Sequence, residues 1–159
     1  MRAKNDERKV WMKSKLEIEA IIQQLETHIA DDFEAQDLDF KQWNDKSIEE
    51  NIKKMIRYAV CMANGGGGSV VFGVADKVTG LSNVLLGVPF NVNVQALQQR
   101  IQDHTVPPIL PLFDEILYVN GAIRILIMHI IPGNAYYTTL DGDSTVRQGK
   151  ECLPFEYLK

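Results

Sequence analysis

The sequence is poor in the residues that build several common sites. It has 2 cysteines, 3 histidines, no glycine before Gly65 and no proline before Pro89. Cys61 and Cys152 form no C-x-x-C pair, which excludes a thiolate zinc cluster, and such scarcity fits a reducing compartment. Cys61 falls inside a helical apolar pattern and reads as inert, and nothing beside Cys152 marks a nucleophile. His28, His104 and His129 have no ligand spacing and read as structural or surface residues. No Ser-His-Asp arrangement suggests itself. No apolar run reaches about 18 residues, and the charged N-terminus is unlike a signal peptide. A soluble cytoplasmic protein is therefore the expectation. Positive charge is lacking as well. The formal net charge is −4, so the molecule as a whole does not attract polyanions, and any nucleic-acid binding must come from a local patch.

What is present is the composition of an ordinary globular chain whose 159 residues suffice for one core. Ile18, Ile21, Ile22, Leu25 and Ile29 mark an amphipathic helix over roughly residues 10 to 30. In "DLDFKQW", Leu38 and Phe40 alternate with Asp37, Asp39 and Lys41, the period of a half-buried strand. Ser47 and Glu50 have capping-box spacing ahead of a helix with Ile48, Ile52, Met55, Ile56, Ala59, Val60 and Ala63 on one face. Asn64-Gly65 suits its end. "SVVFGVA" reads as a buried strand, "DKVTG" as a turn, and residues 94 to 104 as a short helix stopped by Pro107 and Pro108. Asn120-Gly121 between two β-runs signals a type I′ hairpin. "YYTT" and "STVRQ", flanking "LDGD", suggest a second hairpin. The whole reads as an α+β fold, a mixed sheet with packed helices.

Four consecutive glycines, Gly65 to Gly68, invite comparison with phosphate-binding loops. No Lys-Ser or Lys-Thr pair follows them, so they are not a Walker A loop. A helix enters them and a strand leaves, the reverse of a dinucleotide fingerprint, so the nearest helix end is the negative one. They read as a helix cap and a tight entry into a strand, or as a place where bare backbone lets a ligand or another chain come close.

"EAQDLDFK", then "IRYAVCMANGGGGSVVFGVAD", then "YYTTLDGDSTVRQG" resemble, in that order, the Schlafen-type AlbA-like domain, a family of DNA-binding character. The resemblance covers roughly Glu34 to Gly149 and divides the chain into an N-terminal helical extension, residues 1–31, and an AlbA-like domain, residues 32–159. It implies a nucleic-acid-binding module, DNA or RNA, of the kind that serves in transcriptional regulators. In animal Schlafens the related module is a metal-dependent endoribonuclease. Its three acidic positions would fall here on Glu34, Asp39 and Asp76, with Mg²⁺ or Mn²⁺ as cofactor. The family usually has Glu at the second position, so Asp39 is one methylene shorter.

The residues permit both readings. Asp39 and Lys41 share one face of a strand, as in nucleases where a carboxylate holds a hard cation and a lysine stabilises phosphate charge. Equally, they suit the solvated side of an amphipathic strand, and Asp76 a turn. Lys53, Lys54 and Arg57 lie on the polar face of the second helix. With Lys41 and Lys46 they form a candidate phosphate-contacting patch, diluted by Glu49 and Glu50. Arg147, in "TVRQG", either joins that patch or pairs with Asp141 or Asp143. Tyr136 and Tyr137 either offer a stacking surface or place one ring in the core. The leading expectation is a nucleic-acid-binding domain. The rivals are a Mg²⁺/Mn²⁺-dependent nuclease and a protein–protein module whose N-terminal helix packs across a homodimer.

Overall fold

In the computed structural model, which describes residues 12–45 and 47–155, Ser14 opens the first helix. Its hydroxyl accepts from the Glu17 N–H and the Glu17 carboxylate accepts from the Ser14 N–H, a complete capping box. Helix α1 (Lys15–Gln23) is thus shorter than the hydrophobic period suggests, because a 3₁₀ turn (Gln24–Glu26) takes over and Ile29 falls outside it. A further 3₁₀ turn, Ala30–Phe33, leads to strand β1 (Leu38–Lys41). Helix α2 (Ile48–Asn64) is capped by the Ser47 hydroxyl and returns the chain to β2 (Gly68–Phe72). A single helical turn, α3 (Leu81–Val84), and helix α4 (Val94–Asp103) follow. Six more strands complete the fold: β3 (Thr105–Val106), β4 (Leu112–Tyr118), β5 (Ile123–Ile130), β6 (Thr138–Thr139), β7 (Thr145–Gln148) and β8 (Glu151–Pro154).

The main sheet has the order β1-β2-β5-β4. The β1–α2–β2 crossover makes β1 and β2 parallel, with Asp39 opposite Val70 and Lys41 opposite Phe72. The acidic-lysine strand and the strand leaving the glycines are therefore neighbours. Alternation sends Val70, Phe72, Leu126, Met128 and Ile130 into a core under α2 and α4. Leu38, Phe40, Val71, Ile125 and Ile127 point the other way, onto Ile18 and Ile22 of α1. Each such fully buried side chain contributes about 1.5–3 kcal/mol. Among the described residues, no helix is long and apolar enough to cross a membrane.

Asn120 and Gly121 both have positive φ, and the Ala122 N–H donates to the Val119 carbonyl, which closes the expected turn between β4 and β5. The second expected hairpin does not form. β6 pairs with β3, and β7 pairs with β8 instead. The Asn64 side chain stands between the would-be partners. It donates to the carbonyls of Tyr137 and Thr145 and accepts from the Tyr137 N–H, taking bonds that a β6–β7 ladder would use.

The glycine run serves close approach of protein to protein. Gly66 and Gly67 take φ of 96° and 88°, where L side chains are strained. A Cβ on Gly65 would lie 2.5 Å from Cβ of Arg147, and one on Gly68 would lie 2.9 Å from the Asp37 backbone. Cys61 of α2, expected to be inert, and Cys152 of β8, expected to lack a nucleophile's surroundings, form a disulfide with each other. A separation of 91 residues leaves no local signal of this pairing in the sequence.

Candidate functional site

The site grows from an edge. β1 pairs with β2 on one side only, so its other side has backbone groups that need partners. Side chains supply them. Glu34 Oε2 accepts from the Phe40 N–H at 2.9 Å. Arg147 Nη2 donates to the carbonyls of Ala35 and Leu38 at 2.8 and 3.0 Å. Gln36 holds the same hairpin by donating to the Arg147 carbonyl and accepting from the Gly149 N–H.

Asp39 is 2% exposed. Its Oδ2 accepts from Arg147 Nη1 at 2.9 Å and lies 3.4 Å from Lys41 Nζ. Its Oδ1 is buried with no hydrogen-bond partner. Lys41 also stands 5.0 Å over the Tyr58 ring. Burial alone would lower the Lys41 pKa, but Asp39, helped by Tyr58 and Glu34, outweighs it and the ammonium is held above its ordinary value.

Around the corner the carboxylates of Asp31, Glu34 and Asp76 converge, each offering an oxygen within 4.8 Å of the other two. The 3₁₀ turn carries Asp31 and ends at Glu34, and the Asp31 N–H donates to the Asp76 carbonyl at 3.0 Å, fixing the two loops together. Burial, then the neighbouring Asp39, pushes the Glu34 carboxyl up to about 8. Asp31 moves the opposite way, lowered first by its hydrogen bond with Glu34 and further by Lys150 and Lys77. A proton on Glu34 shared with its acidic neighbours accounts for both directions. Crowded oxygen ligands of this kind suit a hard divalent cation, and the buried Asp39 carboxylate beside Glu34 adds negative charge to the group.

Of the three expected acidic residues, Glu34 and Asp76 come together. Asp39 adjoins Glu34 but is engaged by Arg147 and Lys41, and Asp31 stands as the third member. Asp31 and Glu34 are three apart on a helical turn, a spacing that puts both on one face and was legible in "ADDFE". Of the expected basic residues, Lys53, Lys54 and Arg57 are exposed along α2, and Lys41 is half-buried at its flank. Lys46 lies outside the described residues. Glu49 pairs two-pronged with Arg100 of α4 while still interacting with Lys53, and Glu50 is exposed on the same helix. Arg147 is 2% exposed and pairs with Asp39, not with Asp141 or Asp143, so it lies under the surface and not on it. Tyr137 packs against the core while Tyr136 is exposed, edge-on to Phe155.

A hydrogen-bonded chain that the sequence did not reveal crosses the sheet. Ser69 Oγ lies 2.7 Å from His129 Nδ1, and His129 Nε2 lies 2.9 Å from Asp114 Oδ2. The order is that of a hydrolase triad, but Ser69 is fully buried and no reactant reaches it. The chain ties β2, β5 and β4 together.

The crystal structure of the DIP2311 protein from Corynebacterium diphtheriae has a similar fold, with a TM-score of 0.60 at 22% identity over 75% of this chain. This chain spans 25% of that one. Comparison with curated proteins gives no match. A family model described as Schlafen, AlbA_2 matches residues 34–156, a span that opens on the glutamate bonded to the β1 edge and includes the β7–β8 hairpin. Spanning most of the sequence, that match establishes that the chain belongs to the Schlafen AlbA_2 family.

Proposed function

We propose that this domain binds nucleic acid along the exposed ridge of α2, as the contact module of a regulator. The observation that carries this reading is the placement of Lys53, Lys54 and Arg57 together in solvent, with Lys41 and Tyr58 at their side, in a chain whose net charge is negative. A local cationic strip on an acidic protein attracts phosphates in one place and repels them elsewhere. Labelled RNA and DNA, titrated at low salt and again at higher salt, test it. Retention that falls steeply with salt is the expected result. No retention of either polymer at low salt overturns it.

A second reading is favoured by the convergence of Asp31, Glu34 and Asp76: a Mg²⁺- or Mn²⁺-dependent endoribonuclease. These three residues would hold the cation, which would supply neutralisation of phosphate charge and an acidified water. Burial and Asp39 hold the Glu34 carboxyl above its ordinary value, so a cation bound there would take the place of its proton. Asp39 brings a buried carboxylate beside it, and Lys41 lends positive charge at the rim. Incubation of labelled structured RNA with and without Mn²⁺ distinguishes the two readings. Cleavage that requires Mn²⁺ and disappears in Asp76→Asn supports the enzyme. Retention without cleavage leaves the binder.

A further inference from the structure

The disulfide and the acidic centre share one short piece of chain. In the β7–β8 register, Arg147 lies directly opposite Cys152. Cys152 is bonded to Cys61, fully buried in α2. On the other strand, the Arg147 side chain reaches Asp39 and the β1 edge. Gly65 brings the end of α2 against Cβ of Arg147. One covalent bond therefore holds to the helix the strand pair that delivers a cation into Asp39. The remaining attachments of the hairpin are the buried Val146, the bonds of Arg147 itself to Asp39, Ala35 and Leu38, and polar contacts through Gln36, Asn64 and Lys150. The polar contacts at its rim open and close with local fluctuation.

We propose that the Cys61–Cys152 disulfide is a redox latch on the acidic site: oxidised, it keeps Arg147 in Asp39, and reduced, it lets Arg147 withdraw so that Asp39 can join Glu34, Asp31 and Asp76 in holding a divalent cation. This rests on the cation-binding reading above. Arg147 neutralises the Asp39 carboxylate from its Oδ2 side, so anything that loosens Arg147 strengthens the pull of Asp39 on a cation. The chemistry is thiol–disulfide exchange with a dithiol reductant. Its thiolate attacks Sγ of Cys152, the partly exposed cysteine of the pair. The S–S bond breaks and Cys61 leaves as a thiolate that takes a proton. The second thiol of the reductant then resolves the mixed disulfide. The protein gains two electrons and two protons, and the dithiol becomes a cyclic or linked disulfide.

The test uses the full chain, oxidised or reduced with dithiothreitol and desalted under nitrogen. Two quantities are read in each state: amide hydrogen exchange over 145–148, and Mn²⁺ affinity by titration with the metal alone. Reduction is expected to speed exchange in this strand about tenfold and to tighten Mn²⁺ binding by a similar factor. Cys152→Ser should behave as the reduced protein in both buffers. Unchanged exchange after reduction, or equal Mn²⁺ affinity in the two states, overturns the latch while leaving the cation site standing. A hairpin that loosens in a protein that binds no Mn²⁺ in either state overturns the cation site, and the latch on it.

Discussion

Two charged regions of this molecule are built in opposite ways. The acidic edge draws its residues from the 3₁₀ turn, β1, the loop after β2 and the β7–β8 hairpin, and its central groups are buried and bonded. The basic ridge comes from two turns of one helix, and its side chains stand in solvent. The first is held in place from several sides, so its charges are coupled to stability. The second costs the fold little, so its charges are free to serve a partner. Substitutions should separate the two: damage at the edge should show in unfolding, and damage on the ridge in binding.

The largest effect is expected from Arg147→Met, which leaves Asp39 buried without its main partner. A loss of about 3–5 kcal/mol in denaturant unfolding is expected, with recovery when Asp39→Leu is added. A loss below about 1 kcal/mol would erase the distinction between the regions. Reversing the ridge with Lys53→Glu, Lys54→Glu and Arg57→Glu together should weaken nucleic-acid binding by more than about 100-fold at low salt, while unfolding stays within about 0.5 kcal/mol per site. Glu34→Gln sharpens the acidic side. With its pKa raised from 4.5 to about 8, Glu34 in the folded protein keeps a proton that the unfolded chain has lost. Its favourable contribution is complete below about pH 4.5 and is lost as pH rises toward 8. The wild type should therefore lose stability relative to Glu34→Gln across that window, and a difference that is flat with pH would refute the assignment. Smallest of all, Lys54→Ala should reduce the slope of log affinity against log salt by about one and leave the melting temperature unchanged.

The same contrast explains what could be read in advance. The ridge was legible because helical period alone places Lys53, Lys54 and Arg57 opposite Met55, Ile56 and Ala59. The parallel pairing of β1 with β2 could be anticipated from the strand–helix–strand order. At the edge, sequence brought Glu34, Asp39 and Asp76 forward. The actual neighbours depend on where the loop after β2 meets the 3₁₀ turn, a contact across more than 40 positions that no local pattern encodes. Arg147 was legible only as a charge. Its burial follows from a hairpin that the "LDGD" turn disguised and from a disulfide with no sequence signal. The glycines looked like a ligand loop because bare backbone is needed whenever something comes close, and here what comes close is the protein's own chain, Arg147 at Gly65, Pro132 at Gly67 and Asp37 at Gly68.

Asn64 has a consequence for how this fold can diversify. One side-chain amide clasps the chain at Tyr137 and again at Thr145, and Ser144 donates to the same Tyr137 carbonyl. The stretch between those clasps, tipped by exposed Leu140, Asp141, Gly142 and Asp143, is a loop whose ends are moored independently of its length. Residues spliced into that tip should be carried as a surface excursion, with Arg147 keeping its place, so this is where the domain can acquire new contacts without disturbing its charged edge.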